Sequence, residues 1–396
     1  MMASMPSWES DAMKPRLVAA SMVLSAVLSG WACAVPARAA PVVLTKPGVD
    51  TVIAQLSETD DGKLCIVGVA VGRRASDPER GVVMLFDPAA SRMVWERTVE
   101  PPDGAHRVAF KACHADGKTL LLGAEVVPGA GPATREMTVH AYRFDDQGAL
   151  LGSKEIDTDA SRSTVYAIDA DAGGVTVAGA ARDVAAKTAS NAIFFARLDP
   201  GLQGASVTRL PTGAYEQGSA ARLAGNTLYV AGNFLPASQP EGANTDDHAA
   251  SKIVGGKYRF SERPIKLKSN GVRAAISSAN DIVMLGNDGK TTQLAAIGAD
   301  GKAREGVQLR GTFCWTADIG ADAATVYAVR TECSDPGTPA VLTAIDRRTG
   351  AETIVSGVVG EPVKVLVLKS GLAVVARKSD GTLLLQMVGK GGDPDA

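Results

Sequence analysis

The chain carries four histidines, His106, His114, His140 and His248. No two stand at i, i+2 or i, i+4, the spacings that place a pair of imidazoles on one face to hold a metal. His106 and His114 fall near opposite ends of one expected strand. Neither Gly-x-Ser-x-Gly nor His-Glu-x-x-His occurs, so no nucleophile elbow or zinc-protease helix is written locally. Gly286-Asn287-Asp288-Gly289-Lys290-Thr291 imitates a phosphate loop, but Met284 stands where the first glycine of that motif belongs, and a β-turn is the better reading. Asp169-Ala170-Asp171-Ala172-Gly173 and Asp157-Thr158-Asp159 imitate the start of a calcium loop. Calcium takes six or more oxygens, including a terminal acid that neither segment supplies. Turn chemistry accounts for both, and no cofactor is expected; calcium is the one ion for which the sequence offers any ligands. The acidic pairs Asp60-Asp61, Asp145-Asp146 and Asp246-Asp247 are adjacent residues in turns, which point apart and stay solvated. No catalytic residue is assigned.

Cysteine usage and the N-terminus point to export. Lys14 and Arg16 precede an apolar run from Leu17 to Leu28, and Ala37-Arg38-Ala39 places small residues where a signal peptidase reads. Residues 1–39 are therefore expected to be a cleaved signal peptide, and the mature protein periplasmic or secreted. A membrane anchor is the rival reading, but the run is shorter than the roughly 20 residues a span needs. Trp31 disfavours a lipid anchor at Cys33. No second apolar span occurs, and a monomer is expected. Cys65, Cys113, Cys314 and Cys333 remain, an even set that suits an oxidising compartment and allows three pairings. Cys314 and Cys333 flank a hairpin turning near Ala321 to Ala324 and should meet at its open end. Cys65 and Cys113, on inner strands of neighbouring repeats, are either bridged or simply buried. No Cys-x-x-Cys supports a redox or zinc site.

Formal net charge is −2. Cleavage would remove Lys14, Arg16 and Arg38 against Glu9 and Asp11, which takes it to −3 with both signs interspersed. Such a surface offers nothing to nucleic acid or to an anionic membrane.

The elements that must position any site come from a repeat of about fifty residues, present seven times. Its apolar second run ends at Gly68, Gly123, Gly179, Gly232 and Gly286, spaced 55, 56, 53 and 54 residues apart. Thr325 to Val329 and Leu372 to Ala376 are degenerate copies. The third copy reads as four strands: Thr164 to Ile168, Val175 to Ala178, Ala192 to Leu198 and Ser206 to Leu210, with Asp/Gly turns between. A period this long, filled with short strands, belongs to a propeller. The expectation is all-β: a single seven-bladed β-propeller of four-stranded antiparallel blades over residues 40–388, followed by a flexible tail, 389–396. Copies five to seven are shorter, which keeps six or eight blades open. The last copy lacks a fourth strand, and Val42-Val43-Leu44-Thr45 is a strand without a blade. Pairing the two would close the ring and remove its raw edge.

Asp61-Gly62-Lys63, Asp116-Gly117-Lys118, Val177-Ala178-Gly179, Val230-Ala231-Gly232 and Ala196-Arg197-Leu198-Asp199 recur at matching places. In these the chain resembles secreted bacterial β-propellers with delta-60-like repeats, over most of its mature length. The resemblance implies the fold. Quinoprotein-like and outer-membrane-assembly propellers are similar in outline, although only Trp95 and Trp315 would survive maturation and no Trp-rich docking repeat is present.

Four long loops join second to third strands: Val71 to Arg80, Val126 to Arg135, Ala180 to Ser190 and Phe234 to Ala250. They should crown one side of the face that also carries the blade-to-blade connections. Candidate binding residues there are Arg73, Arg74, Arg80, Arg135, Asp246, Asp247 and His248, with solvated surface charge or tolerated insertion as the plainer reading. The expected function is a binding or scaffolding module for an envelope or extracellular protein, peptide or glycan. The alternative is an enzyme, lactonase-like or quinoprotein-like, with residues converging on the central channel. Acidic, Asn or His side chains gathered at a channel mouth would favour the enzyme; a wall of Ala, Val and Gly would favour binding.

Overall fold

A computed structural model describes residues 40–45, 50–74, 76–116, 118–129, 135–183, 191–215, 219–238, 247–265, 272–287, 291–309, 313–332 and 338–390. Every element among them is a strand. The first, β1, is Val42–Val43. Blade one contains β2 (Asp50–Glu58), β3 (Leu64–Val71), β4 (Arg80–Asp87) and β5 (Arg92–Val99). Blade two contains β6 (Ala105–Asp116), β7 (Thr119–Pro128), β8 (Thr138–Asp145) and β9 (Leu150–Ile156). Blade three contains β10 (Arg162–Asp171), β11 (Gly174–Arg182), β12 (Asn191–Leu198) and β13 (Ala205–Leu210). In blade four the first strand is broken into β14 (Ala214–Tyr215) and β15 (Ala220–Ala224), before β16 (Thr227–Leu235), β17 (His248–Val254) and β18 (Lys257–Glu262). Blade five contains β19 (Arg273–Ile276), β20 (Ile282–Asn287), β21 (Thr292–Ile297) and β22 (Ala303–Leu309). Blade six contains β23 (Phe313–Ala321), β24 (Thr325–Glu332), β25 (Val341–Asp346) and β26 (Glu352–Ile354). Blade seven contains β27 (Glu361–Val367), β28 (Leu372–Arg377) and β29 (Leu383–Val388), with β1 as its fourth strand.

Seven antiparallel sheets result, and the first strands touch one another in succession: β2 with β6, then β10, β15, β19, β23, β27 and β2 again. They ring a central axis, and the chain is a seven-bladed β-propeller. The buried apolar side chains of the described residues fall into seven clusters, each between adjacent blades. Cys65, Val67, Val83 and Leu85 of blade one meet Val108, Phe110 and Leu122 of blade two. Ile53, Ile66 and Met84 of blade one meet Ala373, Val375 and Leu385 of blade seven. Each buried Leu, Ile or Val contributes about 1.5–3 kcal/mol, so the interfaces between blades supply the core. The second strands are buried along nearly their whole length, as continuous apolar runs require.

Two sequence signals acquire physical causes. The Asp that closes the third strand in blades one, two, three and six caps its own turn. Asp145 Oδ1 accepts from Gln147 N and Ala149 N at 2.9 and 2.7 Å, and Asp346 Oδ1 accepts from Arg348 N and Thr349 N at 3.1 and 2.7 Å. Asp199 does the same with Gln203 N and Gly204 N, and those bonds hold its pKa below the usual value. The glycine ending the second strand answers a β-bulge in the first. Bulges leave Ala54, Lys111, Tyr166, Ala317 and Val363 out of register in five first strands. Gly68, Gly123 and Gly179 sit across from the first three. A Cβ on Gly68 would strike the Val52 carbonyl and one on Gly179 the Thr164 carbonyl, while Gly123 faces Val165 of the next blade. Gly123 thus lets neighbouring sheets approach, whereas Gly68 and Gly179 admit the backbone of their own first strand.

Cys65 and Cys113 form a disulfide with Cα atoms 6.5 Å apart, joining β3 of blade one to β6 of blade two. The expected Cys314–Cys333 pair involves Cys333, which lies outside the described residues, as does the expected tail beyond Lys390. Near the other end, Val42 and Val43 pair with Leu385 and Leu384. Leu44 N donates to Leu383 O at 2.8 Å, and Leu383 N donates to Thr45 Oγ1 at 3.0 Å.

Deleting Val42 to Thr45 is expected to lower unfolding free energy by roughly 3–5 kcal/mol, from the lost burial of Leu44 and the lost hydrogen bonds. An unchanged melting midpoint would show that this pairing does not hold the ring. Gly179→Ala is expected to cost at least about 2 kcal/mol through overpacking, whereas Gly152→Ala, whose Cβ meets nothing within 4 Å, should be close to neutral. Equal denaturation midpoints for the two variants would remove the bulge explanation.

Candidate functional site

The loops between second and third strands emerge beside the connections between blades, and their roots are fastened to the next blade. Glu79 N donates to His106 O and Val108 N donates to Glu79 O, both at 3.0 Å, a parallel bridge from the first loop to β6. Met137 forms the equivalent bridge to Arg162 on β10, with Glu136 N donating to Ser161 O at 2.7 Å and Ser163 N to Met137 O at 3.0 Å. At the third loop, Gly213 N donates to Asn191 O at 3.2 Å, and Asn191 Nδ2 donates to Pro236 O at 3.1 Å. These roots clasp neighbouring blades, a role the sequence reading does not anticipate.

The candidate residues are spread over blades one, two and four. Arg73 and Arg74 are exposed, and Arg74 N donates to Asp77 Oδ2 at 3.0 Å within a tight turn. Arg80 pairs with Glu100 at 2.6 Å. Arg135 pairs with Asp157 at 2.7 Å and with Glu155 at 3.4 Å. Asp247 pairs with Arg263 at 3.0 Å. Each of these pairs lies within one blade and is at least partly exposed, so it contributes about 1 kcal/mol or less. His248 opens β17 at 2% exposure, built into the sheet opposite Asn233 and not presented to solvent. Asp246 lies outside the described residues.

The first strands carry Val52, Ala54, Ala220, Ala221, Ala317 and Val363, of which the last four pack against the clusters between blades, together with polar side chains engaged at the junctions. Gln55 Oε1 accepts from Cys113 N at 3.0 Å. His114 Nδ1 stands 3.1 Å from Asp169, whose other oxygen accepts from Gly225 N at 2.7 Å. Tyr166 donates its hydroxyl to Tyr215 O at 2.9 Å and accepts from Tyr215 N at 2.7 Å. Arg222 Nη1 donates to Ser277 O at 3.1 Å, and Arg273 Nε to Ala317 O at 3.2 Å. Asp318 accepts from Val365 N at 2.9 Å and faces Lys364 at 3.3 Å. Six of the seven blade junctions thus carry a side-chain bond near the axis.

The carboxylates of the two calcium-like segments are engaged in the same manner. Asp169 serves the junction just described, Asp171 meets Arg197 and Gly173 N, and Asp157 accepts from Asp159 N at 2.9 Å. Among the described residues, no three His, Cys, Asp or Glu side chains converge as a metal site. His140 lies against Tyr142 with ring centroids 6.2 Å apart, and burial lowers its pKa, partly offset by Glu155.

One exposed cluster stands at the loop-face end of the channel. Trp315, near the start of β23, is 53% exposed, and the guanidinium of Arg273 on β19 lies 5.0 Å from its ring centroid. Burial lowers the Arg273 pKa and the charge of Asp318 raises it, which places that carboxylate within electrostatic reach. The only sequence signal for this cluster is Trp315 itself, one of two tryptophans beyond residue 39. A separate shallow depression of about 240 Å³ on the flank of blade six is lined by Thr325, Asp346, Ile354 and Lys390 and shares no residue with it.

No family model and no curated protein matches the chain. Solved propellers do. The β-propeller domain of Cps50 (Swd1) from Myceliophteria thermophila is 12% identical, with a TM-score of 0.50 over 88% of this chain and 99% of that one. The β-propeller domain of the trilobed protease from Pyrococcus furiosus is 12% identical, with a TM-score of 0.50 over 89% and 99%. A catalytically inactive virginiamycin B lyase from Staphylococcus aureus, solved with quinupristin, is 13% identical, with a TM-score of 0.52 over 88% and 98%. At these identities the likeness is one of fold, and the fold accommodates both binding modules and enzymes.

Tyr166→Phe would remove one hydroxyl that satisfies both backbone groups of buried Tyr215. The expected cost is about 2–3 kcal/mol in equilibrium unfolding, and a cost below about 0.5 kcal/mol would show that the hydroxyl does not secure the third junction.

Proposed function

We propose that the protein is an exported binding or scaffolding propeller that recognises an envelope or extracellular protein, peptide or glycan on the face carrying the long loops. The observation that carries this reading is the contrast between that face and the channel. Polar side chains of the first strands are tied to the next blade at six junctions, and small apolar residues such as Ala54, Ala220 and Ala317 stand among them. The loops spring from roots bonded to adjacent first strands, so their outer parts project from a rigid frame. Paired charges on the same face, Arg80 with Glu100 and Asp247 with Arg263, form a mixed polar rim that suits a protein or sugar surface better than a polyanion. Export is supported by the basic, apolar and small-residue order of residues 14–39 and by the Cys65–Cys113 bridge, which suits an oxidising compartment.

The test is crosslinking in cells of the tagged protein, compared with a variant in which residues 237–246 are replaced by a short turn. A stoichiometric partner captured by the parent and lost from the variant, with the melting midpoint preserved, is the expected result. Failure to capture any partner across crosslinker doses, or undiminished capture by the variant, would overturn the reading.

A further inference from the structure

Trp315 is the one aromatic among the exposed large apolar side chains of the described residues; the others are Val43, Val52, Leu150, Leu151, Ile354 and Val359. It stands on an innermost strand, where propeller side chains normally pack between blades, yet more than half of its surface is open. Arg273 lies over the ring, and an indole with a cation near it still offers a flat apolar surface to a ligand. The guanidinium is itself fixed. Its Nε bonds Ala317 O and its Nη1 bonds Val272 O, both at 3.2 Å, while Nη2 takes part in neither bond. Asp318, bonded to Val365 N and facing Lys364, brings a second cation to the next junction. Glu361, at the loop-face end of β27, adds a second carboxylate to this region, and Arg273 is the cation that lies against the exposed indole.

A sugar ring presents one face of C–H groups that stacks on an indole, and a guanidinium matches a carboxylate in plane. We propose that the loop-face mouth of the channel, at the junction of blades five and six, binds a carboxylate-bearing sugar, stacked on Trp315 with its carboxylate toward Arg273. This names a ligand class for the binding reading above and rests on it. Trp315 provides the surface and Arg273 orients the acid.

The experiment titrates the intact exported protein with glucuronate, galacturonate and trigalacturonate, with maltotriose as the neutral control, by calorimetry and tryptophan fluorescence. The parent is expected to bind trigalacturonate in preference to maltotriose. Trp315→Ala should weaken that binding about tenfold or more with an unchanged melting midpoint, since the side chain is exposed. Arg273→Gln should abolish the preference for the acidic sugar. No binding of any acidic sugar at about 10 mM would overturn the proposal. So would equal affinity for maltotriose, or undiminished binding by Trp315→Ala. If the loop replacement still abolishes partner capture while no acidic sugar binds, the binding reading stands and this site falls. If acidic sugars bind through Trp315 while no partner is captured, the site stands and the loop reading falls.

Discussion

Seven first strands crowd around one axis, and the backbone groups they expose there must be satisfied by neighbouring blades. Bulges aggravate the need, because each removes a residue from its own ladder. The Ala317 carbonyl, at one such bulge, is met by Arg273 from the preceding blade. Tyr166, itself the bulged residue, turns its hydroxyl onto both backbone groups of Tyr215. Gly68 and Gly179 follow from the same geometry, since a bulged strand crowds whatever lies across from it. Apolar packing between blades supplies most of the free energy, and these polar contacts fix which residue faces which.

Much of this architecture is legible in the chain. The spaced glycines mark the second strands, and the Asp that closes the third strand in four blades marks a turn whose carboxylate caps backbone N–H groups. What stays hidden are contacts between blades. Gln55 to Cys113, Tyr166 to Tyr215, Arg222 to Ser277, Arg273 to Ala317 and Asp318 to Val365 span 58, 49, 55, 44 and 47 residues. Each separation is close to one repeat, so polar residues in first strands could have been matched one period ahead. The small-residue signal that finds a strand is silent about its partner. The break in the first strand of blade four had no such marker, whereas the disulfide joins residues 48 apart, again about one repeat, where parity alone allowed three pairings.

The loop face separates into two layers with different duties. Loop roots such as Glu79 and Met137 belong to the scaffold, because their backbone bonds reach the next first strand. Several charged residues beyond the roots are paired within their own blade, which leaves a surface of mixed sign. Recognition by such a surface depends on shape and on a few aromatic or cationic anchors more than on net charge. Trp315 and Arg273 would serve as such a pair under the proposal above, on first strands instead of on a loop.

The seventh sheet is assembled from the two ends of the sequence, β1 and β27 to β29. Order of synthesis and order of pairing are therefore opposed. Val42 and Val43 precede every other strand, yet their partners Leu385 and Leu384 are among the last residues to emerge. Until then blade seven has no outer strand, and the apolar flank of blade one that meets Ala373 and Val375 has nothing to cover it. The ring is thus a clasp that shuts once, at the end, and its earliest described strand stays unpaired until the last blade has been made.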